Sequence, residues 1–409
     1  MIDVAIMGHG VVGSGVAEIL YNHPERIFEK AKDNINIKYI LDLRNFDGLP
    51  YSDKFIKDFN LIVNDPDVKI VVEVMGGCTF AYDYVKACLL AGKSVCTSNK
   101  ELVAQKGSEL LRIAIENNVN FLFEASVGGG IPVLRPMAQC LTANEITEVT
   151  GILNGTTNFI LTKMISENMS FDEALKLAQQ LGYAEKDPTA DIEGFDACRK
   201  VCILASLGFG KHVYPEQVKT EGITKISLDD VTYAEKFNSV IKLIGKTRKL
   251  DNGKITANVY PALVSKNNML SGVNDVFNAI MVRGDEVGDV MFYGRGAGKF
   301  PTASAVVGDV IDCAKHLTAR KYLFWEDGCD DYVTDSSEDI TRFYIRVQTN
   351  DINSAVKEIE AKFDNASYII NSDKGEIAIL TETDIEKTLY KQINSLEKCK
   401  VMKTLHAID

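Results

Sequence analysis

What this 409-residue sequence lacks narrows its class before any motif is read. No run of eighteen or more apolar residues occurs, so no stretch spans a bilayer as a helix. The opening "MIDVAIMGHG" has no basic region ahead of its apolar stretch and no small-residue cleavage pattern, so no secretory signal is expected. Basic excess is missing too. The net charge is −12 and no long basic stripe is visible, which argues against nucleic acid or an anionic membrane as the main partner. The nine cysteines are odd in number and scattered, which reads as reduced thiols in a cytoplasmic protein. Cys198 and Cys202 stand four apart, but none of the five histidines has ligand spacing with them. Buried thiols are therefore expected there rather than a metal pair.

Present instead are the hydrophobic and charged fractions of a soluble globular protein, 46% and 25%. The length exceeds one hydrophobic core, so two or three domains are expected. In the first third, apolar runs ("IDVAIMG", "INIKYILDL", "VKIVVEVMGG", "KSVCTSN", "NVNFLFEA") alternate with helical stretches such as "GVAEILYN" and "AYDYVKACLLAG". That alternation predicts a parallel sheet covered on both faces. From about residue 140, "ANEITEVTGILN" and "GKITANVYPALVS" read as strands of a different sheet. Helices are expected at "FDEALKLAQQLG", "DIEGFDACRKVCILASLG", "DVTYAEKFNSVIKLIGKT" and about 302–319. The acidic "WEDGCDDYVTDSSED" reads as a linker, and the tail beyond it as βαββαβ, the ferredoxin-like unit.

Gly8-His9-Gly10-Val11-Val12-Gly13 is a G-x-G-x-x-G between an expected strand and an expected helix. The glycines allow a tight turn, close approach of a pyrophosphate and close packing of helix on strand. At the end of the second strand, Asp42 would accept from the ribose of NAD and Arg44 would favour the phosphate of NADP. Asp42 lies about 29 residues past Gly13, against the usual ~20, and a longer helix and loop absorb the difference. Lys100, in "TSNKELVA", sits at a strand end, where it reaches a ligand or is merely solvated at a helix start. "EASVGGGIP", 124–132, suits a cation site built of oxygens or a hinge. In "LNGTTNFIL", Asn154, Gly155, Thr156 and Thr157 bind a small polar ligand or cap a helix.

The stretch "DPTADIEGFDACRK" puts Asp196 and Lys200 on one helical face. An exposed pair of this kind stabilises a helix by only about 0.2–0.5 kcal/mol. Two features point beyond that reading. Gly194 in the same turn costs about 1 kcal/mol relative to alanine, which suggests a close approach to the backbone. Glu185 and Asp187 add carboxylates nearby. A lysine among carboxylates beside a hydride acceptor suits proton transfer in alcohol oxidation.

Together these residues resemble the homoserine dehydrogenase family, monofunctional and with a C-terminal ACT-like domain. The family pattern appears as Ala178, Gly182, Tyr183, Ala184, Asp187, Pro188, Asp191, Ile192, Gly194, Asp196 and Lys200. The likeness extends through "GHGVVGSGV", "TSNKELVA", "EASVGGGIPVLRP", "LNGTTNFIL" and "FYGRGAGKFPTASAVVGD", covering residues 1 to about 320. It implies reversible NAD- or NADP-dependent interconversion of L-homoserine and L-aspartate 4-semialdehyde, a step toward threonine, methionine and isoleucine.

By that resemblance Lys200 handles the proton at the substrate oxygen, with Asp196 and Lys100 as further catalytic candidates. Glu185, Asp191, Gly155 and Thr156 are expected on the substrate. Gly8, Gly10, Val11, Val12, Gly13, Asp42, Arg44, Ser98, Lys100 and Gly298 are expected on the cofactor. Glu124, Val127, Gly129 and Ile131 match a sodium or potassium site.

The implied architecture is α/β. A Rossmann-type dinucleotide-binding domain occupies 1–135 plus 299–320, and an α+β catalytic and dimerisation domain 136–298. A linker over 321–339 and an ACT-like domain over 340–409 follow. A homodimer or higher homo-oligomer is expected. The tail departs from the ACT pattern: its first loop reads "VQTNDINSAV" where an Asp-x-x-Gly type of loop is usual. Effector binding and subunit pairing both stay open as its role. No kinase-like extension precedes residue 1, so no aspartokinase fusion is expected. The competing readings are an aspartate-semialdehyde dehydrogenase-like enzyme, which needs a nucleophilic cysteine absent from any suitable motif, and a non-catalytic dinucleotide-binding regulator.

Overall fold

Strand β1 (Ile2–Met7) runs directly into the glycine-rich turn, and the helix Val11–Asn22 follows. The computed structural model describes residues 1–318 and 323–409. Residues 319–322, which fall at the end of the segment 299–320 and of the expected helix 302–319 and at the start of 321–339, lie outside the described residues. β1 is flanked by β2 (Ile35–Leu41) and β4 (Val68–Glu73), each parallel to it. With β3 (Phe55–Ile56), β5 (Ser94–Thr97) and β6 (Phe121–Leu122) the order is β3-β2-β1-β4-β5-β6. This is the doubly wound order, whose switch point lies between β1 and β4. The core strands are apolar on both faces: Val4, Ile6, Ile70, Val71 and Val72 have no exposed surface. Helices on both faces require that pattern.

The chain divides into two compact units, Met1–Val149 with Cys202–Glu216 and Ile280–Asp330, and Thr150–Val201 with Gln217–Ala279 and Asp331–Asp409. In the first, the helix Lys299–Lys315 returns to the dinucleotide fold. Gly15 lets it come close: a Cβ there would lie 2.9 Å from that of Ala303. Lys299 seals the contact with Glu18 at 2.6 Å. β7 (Ile146–Ile152) carries the chain across the boundary at Thr150.

The second unit holds β8 (Lys219–Thr220), β9 (Ser239–Lys249) and β10 (Ile255–Ser265). Here the sequence reading of one helix through "DVTYAEKFNSVIKLIGKT" is corrected. The helix Leu228–Lys236 stops, Asn238 takes φ +51°, and the remainder is strand β9. β9 pairs antiparallel with β10 along its whole length, from Ser239 opposite Ser265 to Lys249 opposite Ile255. Partner strands decided this. A short apolar run of Val, Ile and Leu fits either period until a ladder is available.

A hairpin unmarked in the sequence reading follows, β11 (Phe277–Gly284) and β12 (Gly288–Arg295). The tail then forms β13 (Ile340–Gln348), the helix Ile352–Lys362, β14 (Ser367–Asn371) and β15 (Glu376–Leu380). The short β16 (Asp384–Ile385), the helix Glu386–Asn394 and β17 (Lys400–Ile408) complete it. Its strands lie in the order β17-β13-β15-β14 over a core that includes Phe343, Ile345, Ile359, Ile377 and Leu389.

This tail is joined closely to the rest of its unit. β17 pairs parallel with β10, Ala262 opposite His406. Arg346 reaches Asp230 at 3.2 Å and Glu376 at 3.5 Å, and Tyr344 donates to Asp230 at 3.1 Å. Asp230 has no exposed surface, and a carboxylate so placed needs these partners. Within the stretch expected as a linker, Tyr332, Ser336 and Asp339 are buried, and Arg248 pairs with Asp339 at 2.6 Å. All nine cysteines are free thiols, Cys198 and Cys202 buried among them. Among the described residues no helix is long and apolar enough to cross a membrane.

Candidate active site

The dinucleotide turn is built by exclusion of side chains. Gly8 adopts φ +101°, and a Cβ on Gly13 would lie 2.0 Å from the Gly8 carbonyl oxygen. Gly10 has nothing within 4 Å of its would-be Cβ, and Val11 after it is 68% exposed while Val12 is half-buried. The first turn of the helix therefore opens onto free space, with its amides and positive dipole end available to phosphate.

At the end of β2, Asp42 and Arg44 do not act separately. The Asp42 carboxylate accepts the His9 amide at 2.8 Å, the Arg44 amide at 3.0 Å, Arg44 Nε at 3.0 Å and Arg44 Nη2 at 2.9 Å. The guanidinium holds the Asp42 carboxyl well below the usual carboxylate range. Arg44 stays 62% exposed and lies over the Phe46 ring at 5.1 Å.

At the end of β5, Ser98 is half-buried and Lys100 opens the helix Lys100–Glu116. Asn99 caps that helix, its oxygen accepting from the Leu102 amide at 3.1 Å. Gly298, φ +121°, precedes the helix Lys299–Lys315.

Glu124 is buried, and its carboxylate closes a tight turn. Oε1 accepts the amides of Val133 at 2.6 Å and Leu134 at 2.8 Å, and Oε2 accepts that of Arg135 at 2.7 Å. Asp309 accepts the Glu124 amide at 2.9 Å and pairs with Arg135. Gly128 and Gly129 both take positive φ, +71° and +54°. The carbonyls of Val127, Gly129 and Ile131 accept no backbone hydrogen bond among the described residues, although all three residues are buried. Buried carbonyls are ordinarily paired, so these oxygens fit a hard cation.

The second constellation lies wholly in the other unit. Gly194 is not inside a helix as expected. It stands between the short helix Thr189–Ile192 and the helix Phe195–Phe209, at φ +85°. What approaches it is the sheet, since a Cβ would lie 3.0 Å from Thr220 Cγ2 and 3.2 Å from Val259 Cγ1. Asp196 and Lys200, one turn apart, are 5% and 8% exposed. Lys200 Nζ donates to Asp196 Oδ2 and to the Leu153 carbonyl, both at 2.7 Å. Asn154 Nδ2 donates to the same Asp196 oxygen and to Asp191 Oδ1, again at 2.7 Å. This is a buried ionic cluster, unlike the exposed pair weighed against it.

Gly155 starts the helix Gly155–Ser166, and Thr156 Oγ1 donates to the Tyr183 carbonyl at 2.6 Å. Glu185 is on an exposed loop, and no partner of its carboxylate is found among the described residues. Asp187 binds Thr189 at 2.6 Å.

With these two constellations in place, comparison with known proteins is decisive. Residues 8–124 match the family model for the homoserine dehydrogenase NAD-binding domain, and residues 132–311 match that for homoserine dehydrogenase. The homoserine dehydrogenase of a Synechocystis species is 40% identical over 388 residues, 91% of this chain and 88% of that protein. The Bacillus subtilis enzyme is 44% identical over 321 residues, 77% of this chain and 73% of its own length. The crystal structure of a homoserine dehydrogenase from Thiobacillus denitrificans superposes with a TM-score of 0.90 at 34% identity, covering 100% of this chain and 98% of that one. The chain belongs to the homoserine dehydrogenase family.

It is accordingly an oxidoreductase that acts on a CH–OH group with NAD(P). A hyperthermophilic archaeal homoserine dehydrogenase solved in complex with NADPH is also similar, with a TM-score of 0.65 at 31% identity over 76% of this chain and 97% of that one. For a homoserine dehydrogenase, the residue the sequence reading undervalued is Asn154. Its local pattern reads as a cap or a ligand contact, but its tie to Asp191 and Asp196 crosses 37 and 42 residues of chain. No local spacing reports such a contact. The Leu153 carbonyl on Lys200 was missed for the same reason.

Proposed function

We propose that in this homoserine dehydrogenase Lys200 transfers the proton at the substrate oxygen. In the oxidative direction its neutral amine takes the hydroxyl proton of L-homoserine as the C–O double bond forms. In the reductive direction its ammonium returns that proton to L-aspartate 4-semialdehyde. Bound NAD(P) supplies the two-electron chemistry, accepting or giving the hydride. The single observation that carries this reading is the buried Lys200 ammonium site, fixed by a carboxylate and a carbonyl at 2.7 Å each. Asp196 and the Leu153 carbonyl hold Nζ in one place, and Asp191 with Glu185 supplies negative charge for the substrate's amino group. Gly155 and Thr156 form the wall beside them, and Lys100 serves the nicotinamide end.

Gly8, Gly10, Val11, Val12 and Gly13 hold the pyrophosphate, with Gly298 and Ser98 bordering the cofactor. The glycine cradle that a Cβ would fill supports this fit. Glu124, Val127, Gly129 and Ile131 hold a monovalent cation, a reading supported by three buried residues whose carbonyls accept no backbone hydrogen bond among the described residues. In domain terms, 1–135 with 299–320 binds dinucleotide, 136–298 carries catalysis and pairing between subunits, 321–339 links, and 340–409 is ACT-like. The expected setting is a cytoplasmic homo-oligomer on the route to threonine, methionine and isoleucine.

The test is Lys200→Ala, assayed in both directions. Turnover is expected to fall by about 10²–10⁴-fold, with the dinucleotide Kd within about two-fold of wild type. Near-normal kcat would remove the assignment. Initial rates with NAD and NADP, with and without threonine and methionine, test cofactor choice and effector response.

A further inference from the structure

One buried carboxylate of the dinucleotide fold takes no part in the chemistry above. Glu73 ends β4 with no exposed surface, where a charged group is costly unless fully hydrogen-bonded. Its bonds have a fixed direction. Thr97 Oγ1 accepts the Asn99 amide at 2.9 Å and donates its own proton to Glu73 Oε2 at 2.6 Å. The Met75 amide donates to Glu73 Oε1 at 2.8 Å. Both carboxylate oxygens therefore accept. Asn99 closes the circuit, with Nδ2 donating to the Gly77 carbonyl at 2.6 Å and Oδ1 capping the helix that starts at Lys100. Burial pushes the Glu73 carboxyl up, and the bonds from Thr97, Met75, Gly76 and Asn99 oppose that.

The two segments tied by this circuit are the turn 74–78 after β4 and the turn 98–99 after β5. They leave the carboxyl ends of adjacent parallel strands, where an open α/β sheet binds its ligand. The first also borders the phosphate turn, since a Cβ on Gly8 would lie 3.0 Å from the Val74 carbonyl oxygen. We infer that Glu73 is a positioning residue for the dinucleotide, its carboxylate setting through Thr97 and Asn99 the spacing of the two turns that flank the cofactor. The inference rests on the cofactor assignment above. Glutamine is a poor substitute, because its amide nitrogen would face either a backbone N–H or the Thr97 hydroxyl, which then loses the carboxylate that accepts its proton.

The experiment compares Glu73→Gln, Thr97→Val and Thr97→Ser with wild type and with Gly13→Val. NADPH and NADH affinities are read by fluorescence titration, and KM for homoserine and thermal midpoints are also measured. Glu73→Gln and Thr97→Val are each expected to weaken dinucleotide binding by about tenfold. KM for homoserine should stay within about two-fold, Thr97→Ser should keep affinity, and a double variant combining Glu73→Gln with Thr97→Val should be no worse than the weaker single. Wild-type dinucleotide affinity in Glu73→Gln and Thr97→Val, with binding abolished in Gly13→Val, would overturn this inference and leave the cofactor site standing. Unimpaired binding in Gly13→Val would overturn the cofactor assignment itself. If Glu73→Gln does not fold, the Thr97 pair decides: equal loss in Val and Ser overturns the inference.

Discussion

Asn154 donates from one amide nitrogen to both Asp191 and Asp196, while its oxygen accepts the Thr157 amide at 2.8 Å and caps the helix Gly155–Ser166. The two roles are separable. Asn154→Ser keeps a capping oxygen but is too short to bridge the acids. Its thermal midpoint should stay near wild type while kcat falls, because Asp196 loses the bond that aims it at Lys200. Asn154→Ala loses both, with about 1 kcal/mol of stability from the cap in addition. Equal kcat for wild type and Asn154→Ser would show that the bridge carries no catalytic weight. Arg44 and Asp42, expected on the cofactor, pose a related question at the end of β2. Arg44→Ala frees the carboxylate of Asp42 and removes the cation over Phe46. NADP affinity is therefore expected to fall relative to NAD, a ratio that titration with both cofactors measures directly.

Among the elements, the break between the helices Thr189–Ile192 and Phe195–Phe209 places Asp196 and Lys200. Gly194 takes φ +85°, and its carbonyl accepts the Cys198 amide at 2.9 Å as the first bond of the second helix. Without Gly194 the two helices would run together and rotate Asp196 away from Asn154. Gly194→Ala must also push Thr220 and Val259 aside, so destabilisation of about 1–3 kcal/mol is expected. Gly92→Ala is the control, with φ +73° and nothing within 4 Å of the new methyl; it should cost only about 1 kcal/mol. Urea midpoints of both variants check this, and equal losses would mean that contact with the sheet is irrelevant. The presence of a constraint at Gly194 was readable from its cost in a helical pattern, but its cause was not: Thr220 and Val259 are brought there by the fold.

For the molecule as a whole, the tail is tied to its unit by β17 on β10, and His406 sits at that seam. Its ring stacks on Tyr260 at 3.9 Å and meets Phe343 at 4.9 Å. Burial, with Lys219 and Lys246 nearby, lowers its pKa to about 3. The unfolded chain binds this proton near the ordinary histidine pKa of 6.5, so between those values the unfolded state holds more protons. The contribution of His406 is thus complete above about pH 6.5 and declines as pH falls toward 3, by up to about 1.4 kcal/mol per pH unit within that window. His406→Phe keeps the stack and removes the titration, so its stability should fall less steeply with acid. Parallel pH profiles would refute this.

Much of this protein was legible in the chain itself. The glycine spacing around Gly8 and Gly13, the alternation of apolar strands with helices, and the Asp196–Lys200 interval are short-range patterns that steric and periodic rules read directly. Tertiary structure alone decided that "SVIKLIGKT" is a strand, that Asn154 joins Asp191 to Asp196, and that Asp42 accepts the His9 amide. Each depends on partners that sequence distance conceals, because ladders and hydrogen bonds form between whatever groups folding brings within about 3 Å.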